Sequence, residues 1–167
     1  MIKAIVYFVL CLFLLVLSSP TLAWEARVVA VADGDTITLE PIEGGDRAKV
    51  RLHGIDCPET NQPYGQAAKA FVSKAVLFKE VNVQPTPQGK DRYDRIVAVV
   101  DILGVGVLQE LLLEAGLAWV YSQYCKDCGA WETMEAEARR QRKGLWTDKE
   151  PMEPWEWRRK RTEHEHN

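Results

Sequence analysis

The chain has 167 residues, of which 47% are hydrophobic and 27% charged, and a formal net charge of −3. That length suits one domain around one buried core. The acidic balance excludes a broad basic surface that coats nucleic acid through many phosphate contacts, though not a local cleft that is electropositive or metal-loaded.

Residues 1–17 (MIKAIVYFVLCLFLLVL) carry one lysine and then an unbroken apolar run, and Ser18-Ser19-Pro20-Thr21-Leu22-Ala23 follows as a small-residue segment. This pattern predicts a signal peptide over 1–23, cleaved after Ala23. The alternative is an uncleaved anchor, but the apolar run of residues 4–17 is shorter than the roughly 20 residues that span a bilayer. Cys11 lies inside that run rather than at its end, which speaks against a lipid anchor. The expectation is an exported protein, periplasmic or secreted, with no stable membrane insertion after cleavage. Loss of Lys3 makes the remaining chain one unit more acidic and leaves Cys57, Cys125 and Cys128, too few for a multi-disulfide scaffold.

Beyond the leader, 26–31 (ARVVAV), 36–39 (TITL) and 48–52 have β pattern, with turns at Asp33-Gly34-Asp35 and Glu43-Gly44-Gly45-Asp46. Residues 66–77 place Ala67, Ala70, Phe71, Lys74 and Leu77 at helical spacing. Another short strand falls at 81–83, after which Pro85, Pro87 and Gly89 predict a loop. Strand pattern resumes over 95–102, and helices are expected over 107–115, closed by Gly116, and over 131–143, closed by Gly144. Short strands with uneven connections fit a small barrel better than a doubly wound sheet. The predicted fold is α+β: a five-stranded OB-fold-like β-barrel with three helices, over 24–146. From 147 to 167 the composition shifts to a Trp/Arg-rich tail, in which Trp155 and Trp157 tie the segment to the domain. The basic run Arg158-Arg159-Lys160-Arg161 suits contact with phosphate but reads first as solvated, and residues 162–167 as a frayed end. Nothing signals oligomerisation, so a monomer is expected.

Two stretches carry candidate chemistry. Asp33-Gly34-Asp35-Thr36 sets two carboxylates around a glycine, which suits either a plain hairpin turn or an oxygen-rich cation pocket. Asp56 and Glu59, the latter presented by a Pro58 turn, shift the balance toward a pocket, because converging carboxylates repel unless a cation joins them. Arg51 and Arg95, on separate β segments, offer planar forks for phosphate oxygens, with Asp91 and Asp94 as ordinary local partners instead. Acids for a metal and two arginines for a phosphate meet the needs of phosphodiester cleavage. Cys125 and Cys128 form the only close thiol pair and suit a local disulfide; no thioredoxin-like context supports redox catalysis, and a structural zinc would want four ligands.

Asp33-Gly34-Asp35-Thr36, Arg51 through Glu59 and Asp91-Arg92-Tyr93-Asp94-Arg95, followed by Gly116-Leu117-Ala118 and Gly144-Leu145-Trp146, resemble the staphylococcal nuclease (thermonuclease) family. Pro154-Trp155-Glu156-Trp157-Arg158 resembles the tails of its exported bacterial members. The resemblance implies a calcium-dependent endonuclease that hydrolyses DNA and/or RNA and leaves 3′-phosphate ends, with calcium (Ca2+) as cofactor. It implies Asp35 and Asp56 as calcium ligands, joined by the main-chain oxygen of Cys57, with Asp33 supporting the loop. Glu59 would orient or deprotonate the attacking water, and Arg51 and Arg95 would bind the reacting phosphate. Arg92 and Tyr93 fall at substrate-contacting positions, and Trp119, Tyr121 and Tyr124 are candidates for stacking on a base, with core filling by Trp119 and anchoring of an inter-helix loop by Tyr121 as the alternatives. Cys57 stands where the best-known member has threonine, Arg92 where lysine is usual, and Asp94 where glycine is common. The alternative function is a non-catalytic nucleic-acid-binding barrel.

Overall fold

The computed structural model describes residues 23–125 and 128–165, so the leader assigned to 1–23 lies, Ala23 apart, outside the described residues. Eight strands follow in chain order: β1 Trp24–Val31, β2 Thr36–Pro41, β3 Ala48–Leu52, β4 Ile55–Asp56, β5 Glu80–Lys90, β6 Ile96–Ile102, β7 Gly106–Val107 and β8 Trp119–Val120. The helices are α1 Gly65–Val76, α2 Leu108–Glu114, α3 Gly129–Arg140 and α4 Pro154–Glu165.

Antiparallel pairing runs in the order β3-β2-β1-β5-β6, and a parallel pairing of β3 with β6 closes these five strands into a barrel. The period of two along each strand decides what fills it. Ala26 and Val28, Ile37 and Leu39, Val50 and Leu52, Val81 and Val83, and Ala98, Val100 and Ile102 are all buried. Helix α1 buries Gly65, Ala68, Val72 and Val76 at spacings of three and four, and Leu108, Leu112 and Leu113 of α2 join the same core. The architecture is the expected α+β OB-like barrel.

Two expectations are corrected. Strand β5 runs on through Pro85 and Pro87 to Lys90 instead of breaking into a loop. Its pairing with β1 ends at Val83, so one edge beyond that point needs no ladder donor, and the pairing with β6 is irregular between Pro85 and Lys90; an edge with a bulge is where proline is tolerated. The tail is also not merely tethered: it folds as α4, a fourth helix, which extends to Glu165 through the stretch expected to fray. Proline at its first position matches the preset helical φ and the missing N–H of that site. Among the described residues no helix is long and apolar enough to cross a membrane.

Gln109, fully buried on α2, repairs the barrel where closure is incomplete. The β3–β6 pairing stops at Ala98 and β7 pairs β6 only from Asp101. Between them the Gln109 side chain accepts the Val100 N–H at 3.3 Å and donates to the Ala98 carbonyl at 3.0 Å. Gln109→Ala strands that buried N–H and is expected to cost about 2 kcal/mol, measured as a lower urea midpoint at unchanged slope.

Candidate active site

The β1–β2 turn, the β3–β4 turn and the segment leading into α1 meet at one rim of the barrel. In the first turn the Asp33 carboxylate accepts the Asp35 N–H at 3.0 Å, a local closure that Asp favours. Burial and the neighbouring charge of Asp35 push the Asp33 carboxyl up to about 6. Gly34 permits the turn to lie against its neighbours, since a Cβ there would fall 2.6 Å from the Cys57 Cβ and 2.8 Å from that of Ala68. That approach lets Asp35 Oδ2 accept the Cys57 N–H at 2.8 Å.

Strand β3 brings in Arg51, paired in register with Thr36. Its Nη1 donates to the carbonyls of Leu52 and Ile55, both at 2.8 Å, which folds the side chain over the turn that follows. Its Nη2 then reaches Asp56 Oδ1 at 2.8 Å and Asp35 Oδ2 at 3.2 Å. Asp35 and Asp56 are only 7% and 1% exposed, and two carboxylates buried side by side require such a countercharge. Burial works against the Arg51 charge, but Asp35 and Asp56 outweigh it and hold the guanidinium more firmly protonated than usual. For Asp56, burial pushes the carboxyl up despite its guanidinium partners.

Arg95 enters from the end of the β5–β6 connection. Its Nε donates to Asp91 Oδ2 at 2.8 Å, and Nη1 donates to Thr36 Oγ1 at 3.2 Å. The Thr36 hydroxyl in turn donates to Asp35 Oδ1 at 3.2 Å, so it links the second arginine to the acidic pair. Burial opposes the ionisation of Asp91, yet bonds from Arg95 and Tyr93 hold its carboxyl below the ordinary range. Asp94 takes a left-handed φ of 63° before Arg95, a conformation Asp tolerates better than most side chains. Tyr93 is exposed, with the Arg92 and Arg95 guanidiniums 4.8 Å and 5.3 Å from its ring centre. Both residues therefore sit on the loop beside Arg95 rather than in the acidic cluster.

Glu59 is half-buried on the loop before α1. Gln62 locks that loop: its side chain accepts the Glu59 N–H at 3.0 Å and donates to the Met152 carbonyl at 2.7 Å, while its own N–H meets the Glu59 carbonyl at 2.8 Å. The expected acids and Arg51 are thus brought together, with Glu59 joined to Asp56 through a residue that sequence reasoning set aside. Arg158 of α4 donates from Nη1 to Glu59 Oε1 at 2.7 Å and from Nη2 to Asp56 Oδ2 at 2.8 Å. It does not stand in a solvated basic run. The available signal was helical spacing: Trp155 and Arg158 are three apart and share a face once the tail is helical.

Trp119 is not free to stack on a base. It is buried edge-on to Trp146 at 4.3 Å and lies under the Arg139 guanidinium. Tyr121 stacks on Trp155 at 5.0 Å, and of the three candidates only Tyr124 is exposed. Cys125 and Cys128 are joined as a disulfide that abuts Gly54 in the β3–β4 turn.

The rim suits a hard divalent cation in its donor chemistry. Asp35 and Asp56 supply carboxylate oxygens, and burial with the Asp35 charge pushes the Cys57 thiol well up, which denies the site a soft thiolate. Among the described residues no group of three or more His, Cys, Asp or Glu side chains is arranged around a metal position.

A closed OB-like barrel with carboxylates and guanidiniums interleaved at one rim defines a class of protein suited to handling phosphate esters. Residues 49–148 match the family described as staphylococcal nuclease homologue. The chain is 38% identical to an Escherichia coli protein named an uncharacterized endonuclease, over 90% of this chain and 96% of that one. It is 36% identical to the micrococcal nuclease of Shigella flexneri, over 87% of each, and 42% identical to a probable staphylococcal-like nuclease of rice, over 66% of this chain and 32% of the rice protein. The chain belongs to the staphylococcal nuclease family.

The loop that carries Glu59 depends on Gly65, where a Cβ would fall 1.8 Å from the Glu59 carbonyl oxygen. Gly65→Ala must move that backbone and is expected to destabilise the protein by about 2–4 kcal/mol, read as a lower midpoint in thermal unfolding.

Proposed function

We propose that this nuclease is a calcium-dependent endonuclease that hydrolyses DNA and/or RNA phosphodiesters by attack of water and leaves 3′-phosphate ends. The observation that carries the reading is the buried set Asp35–Arg51–Asp56, tied through Thr36 to Arg95. Bound at Asp35 and Asp56, with the main-chain oxygen of Cys57, calcium would neutralise a phosphate oxygen and hold a water molecule.

The protein's own groups do the rest. Arg51 and Arg95, held at the rim by their acids and by main-chain or hydroxyl oxygens, would supply positive charge to the phosphate and meet the extra negative charge that develops as water adds to phosphorus. Glu59 orients or deprotonates that water. The P–O5′ bond breaks as the new P–O bond forms, which leaves phosphate on the 3′ side and a hydroxyl on the 5′ side; Arg95 assists the departing oxygen. Arg92 and Tyr93, on the exposed loop beside Arg95, hold the flanking backbone or nucleoside. Contacts of this kind read phosphate and sugar rather than base edges, so broad sequence preference follows. The leader pattern of residues 1–23 and the Cys125–Cys128 bridge support action outside the cytoplasm, in the periplasm or medium.

Purified chain from Trp24 onward, given unstructured DNA or RNA, is expected to release 3′-phosphate fragments with calcium and to stop when a chelator is added. Retained binding with no product across calcium and pH series would make it a binding module instead. Glu59→Gln is expected to lower turnover about 100-fold or more with substrate binding little changed. Arg51→Lys, which replaces a fork by a point charge, is expected to lose about 100-fold in kcat/KM. Single-turnover cleavage alongside a binding titration separates the two effects.

A further inference from the structure

Arg158 occupies a place that the calcium reading needs. Helix α4 is docked around it at several points. Trp155 stacks flat on Tyr121, with ring centres 5.0 Å apart and planes at 8°, and lies edge-on to Trp119 at 6.2 Å. Trp157 Nε1 donates to Asn61 Oδ1 at 3.2 Å, and the Met152 carbonyl ahead of the helix accepts from Gln62. The guanidinium so delivered spans Asp56 and Glu59, with Nη2 at 2.8 Å from Asp56 Oδ2 and Nη1 at 2.7 Å from Glu59 Oε1 and 3.4 Å from Asp56 Oδ1. Since Arg51 already holds Asp56 Oδ1 at 2.8 Å, both oxygens of this carboxylate are in guanidinium pairs.

The two partners are held unequally. The Asp56 side chain is 2% exposed and fixed by strand pairing to β8, whereas the Arg158 side chain is 40% exposed on a helix face. A divalent cation that takes Asp56 meets a like charge on Arg158 at contact range, and repulsion falls on the partner with a route to solvent.

We propose that Arg158 is a positioning residue of the active site. In the cation-free protein it holds Asp56 and Glu59 together as their internal counterion, and it yields Asp56 to the incoming divalent cation, so that the tail helix sets the calcium affinity of the site. The inference rests on the calcium reading above, in which Asp56 is a ligand and Glu59 serves the water.

The test is a calorimetric calcium titration of the chain from Trp24 onward, as wild type, Arg158→Gln and Arg158→Lys, without nucleic acid and with folding checked by circular dichroism. Arg158→Gln removes the competing charge and is expected to bind calcium about tenfold more tightly. That outcome is opposite in sign to the loosened site that a merely structural role would produce. Arg158→Lys keeps the charge but loses the two-pronged grip and is expected to fall between the two. If Arg158→Gln does not fold, Arg158→Lys must still bind more tightly than wild type. Equal or weaker calcium binding by the folded variants overturns this inference while leaving the calcium reading intact. No calcium uptake by wild type or variant overturns both.

Discussion

The bridge from Arg51 to Asp35 and Asp56 is the interaction on which the rest of the site depends. Two nearly inaccessible carboxylates within reach of one guanidinium would be untenable without it, because neither could keep a charge so close to the other. The barrel supplies the means. Pairing of β2 with β3 sets Thr36 opposite Arg51 and so places Asp35 one residue from the bridge. The carbonyls of Leu52 and Ile55 then spend the other guanidinium nitrogen on holding the side chain down over the turn. Removing either acid would leave a buried cation under-compensated, and removing the arginine would leave two buried anions. Positions 35, 51 and 56 therefore behave as one unit, and effects of substituting them are not expected to add.

Much of this was legible from residue types alone. Period-two burial in five strands and Asp-Gly-Asp before a strand are local patterns, and local patterns survive folding. The features that escaped are those in which tertiary context overrides local preference. Pro85 and Pro87 predict a break, yet the strand continues because pairing with β1 has already ended and its outer edge asks for no donor. Trp119 reads equally as core filler or as a base-stacking platform, and only the fold, which packs it against Trp146 and under Arg139, decides between the two. Arg158 was hidden in a run of four basic residues whose composition suggests solvent. Only the helix, started by Pro154 and anchored by Trp155, turns this one residue inward while Arg159 faces Glu156 at 3.0 Å. Long-range placement of that kind has no signature within a short window of sequence.

Close approach is the second constraint, and glycine provides it twice. Gly34 lets the β1–β2 turn rest on residue 57, and Gly65 lets α1 begin against the Glu59 carbonyl. Asp35 and Glu59 are thereby carried on separate segments, each pressed onto a neighbour at a distance no Cβ would allow. Gln62, only 6% exposed, fastens the second segment from the side through its bonds to Glu59 and Met152. Gln62 joins tail to loop, so the position of Glu59 is coupled to the docking of residues 147–165 even though the barrel is complete without them.

A chain of net charge −3 can act on a polyanion because affinity is decided by the field where the substrate lies and not by the sum over the surface. Many of the surface charges cancel locally in pairs, as in Arg27 with Glu80, Arg47 with Glu40, and Arg140 with Glu137. Such exposed pairs contribute little to stability, and at a distance each presents almost no field. At the rim the balance differs, since Arg51 and Arg158 are paired with Asp35, Asp56 and Glu59, while Arg95 and Arg92 lie on the adjoining loop. In the proposed reading, a divalent cation held by Asp35 and Asp56 would add positive charge at the rim without making the remaining surface attractive to nucleic acid. The acidic chain thus fits a protein that meets phosphate at one local rim better than one that binds polynucleotide wherever it touches.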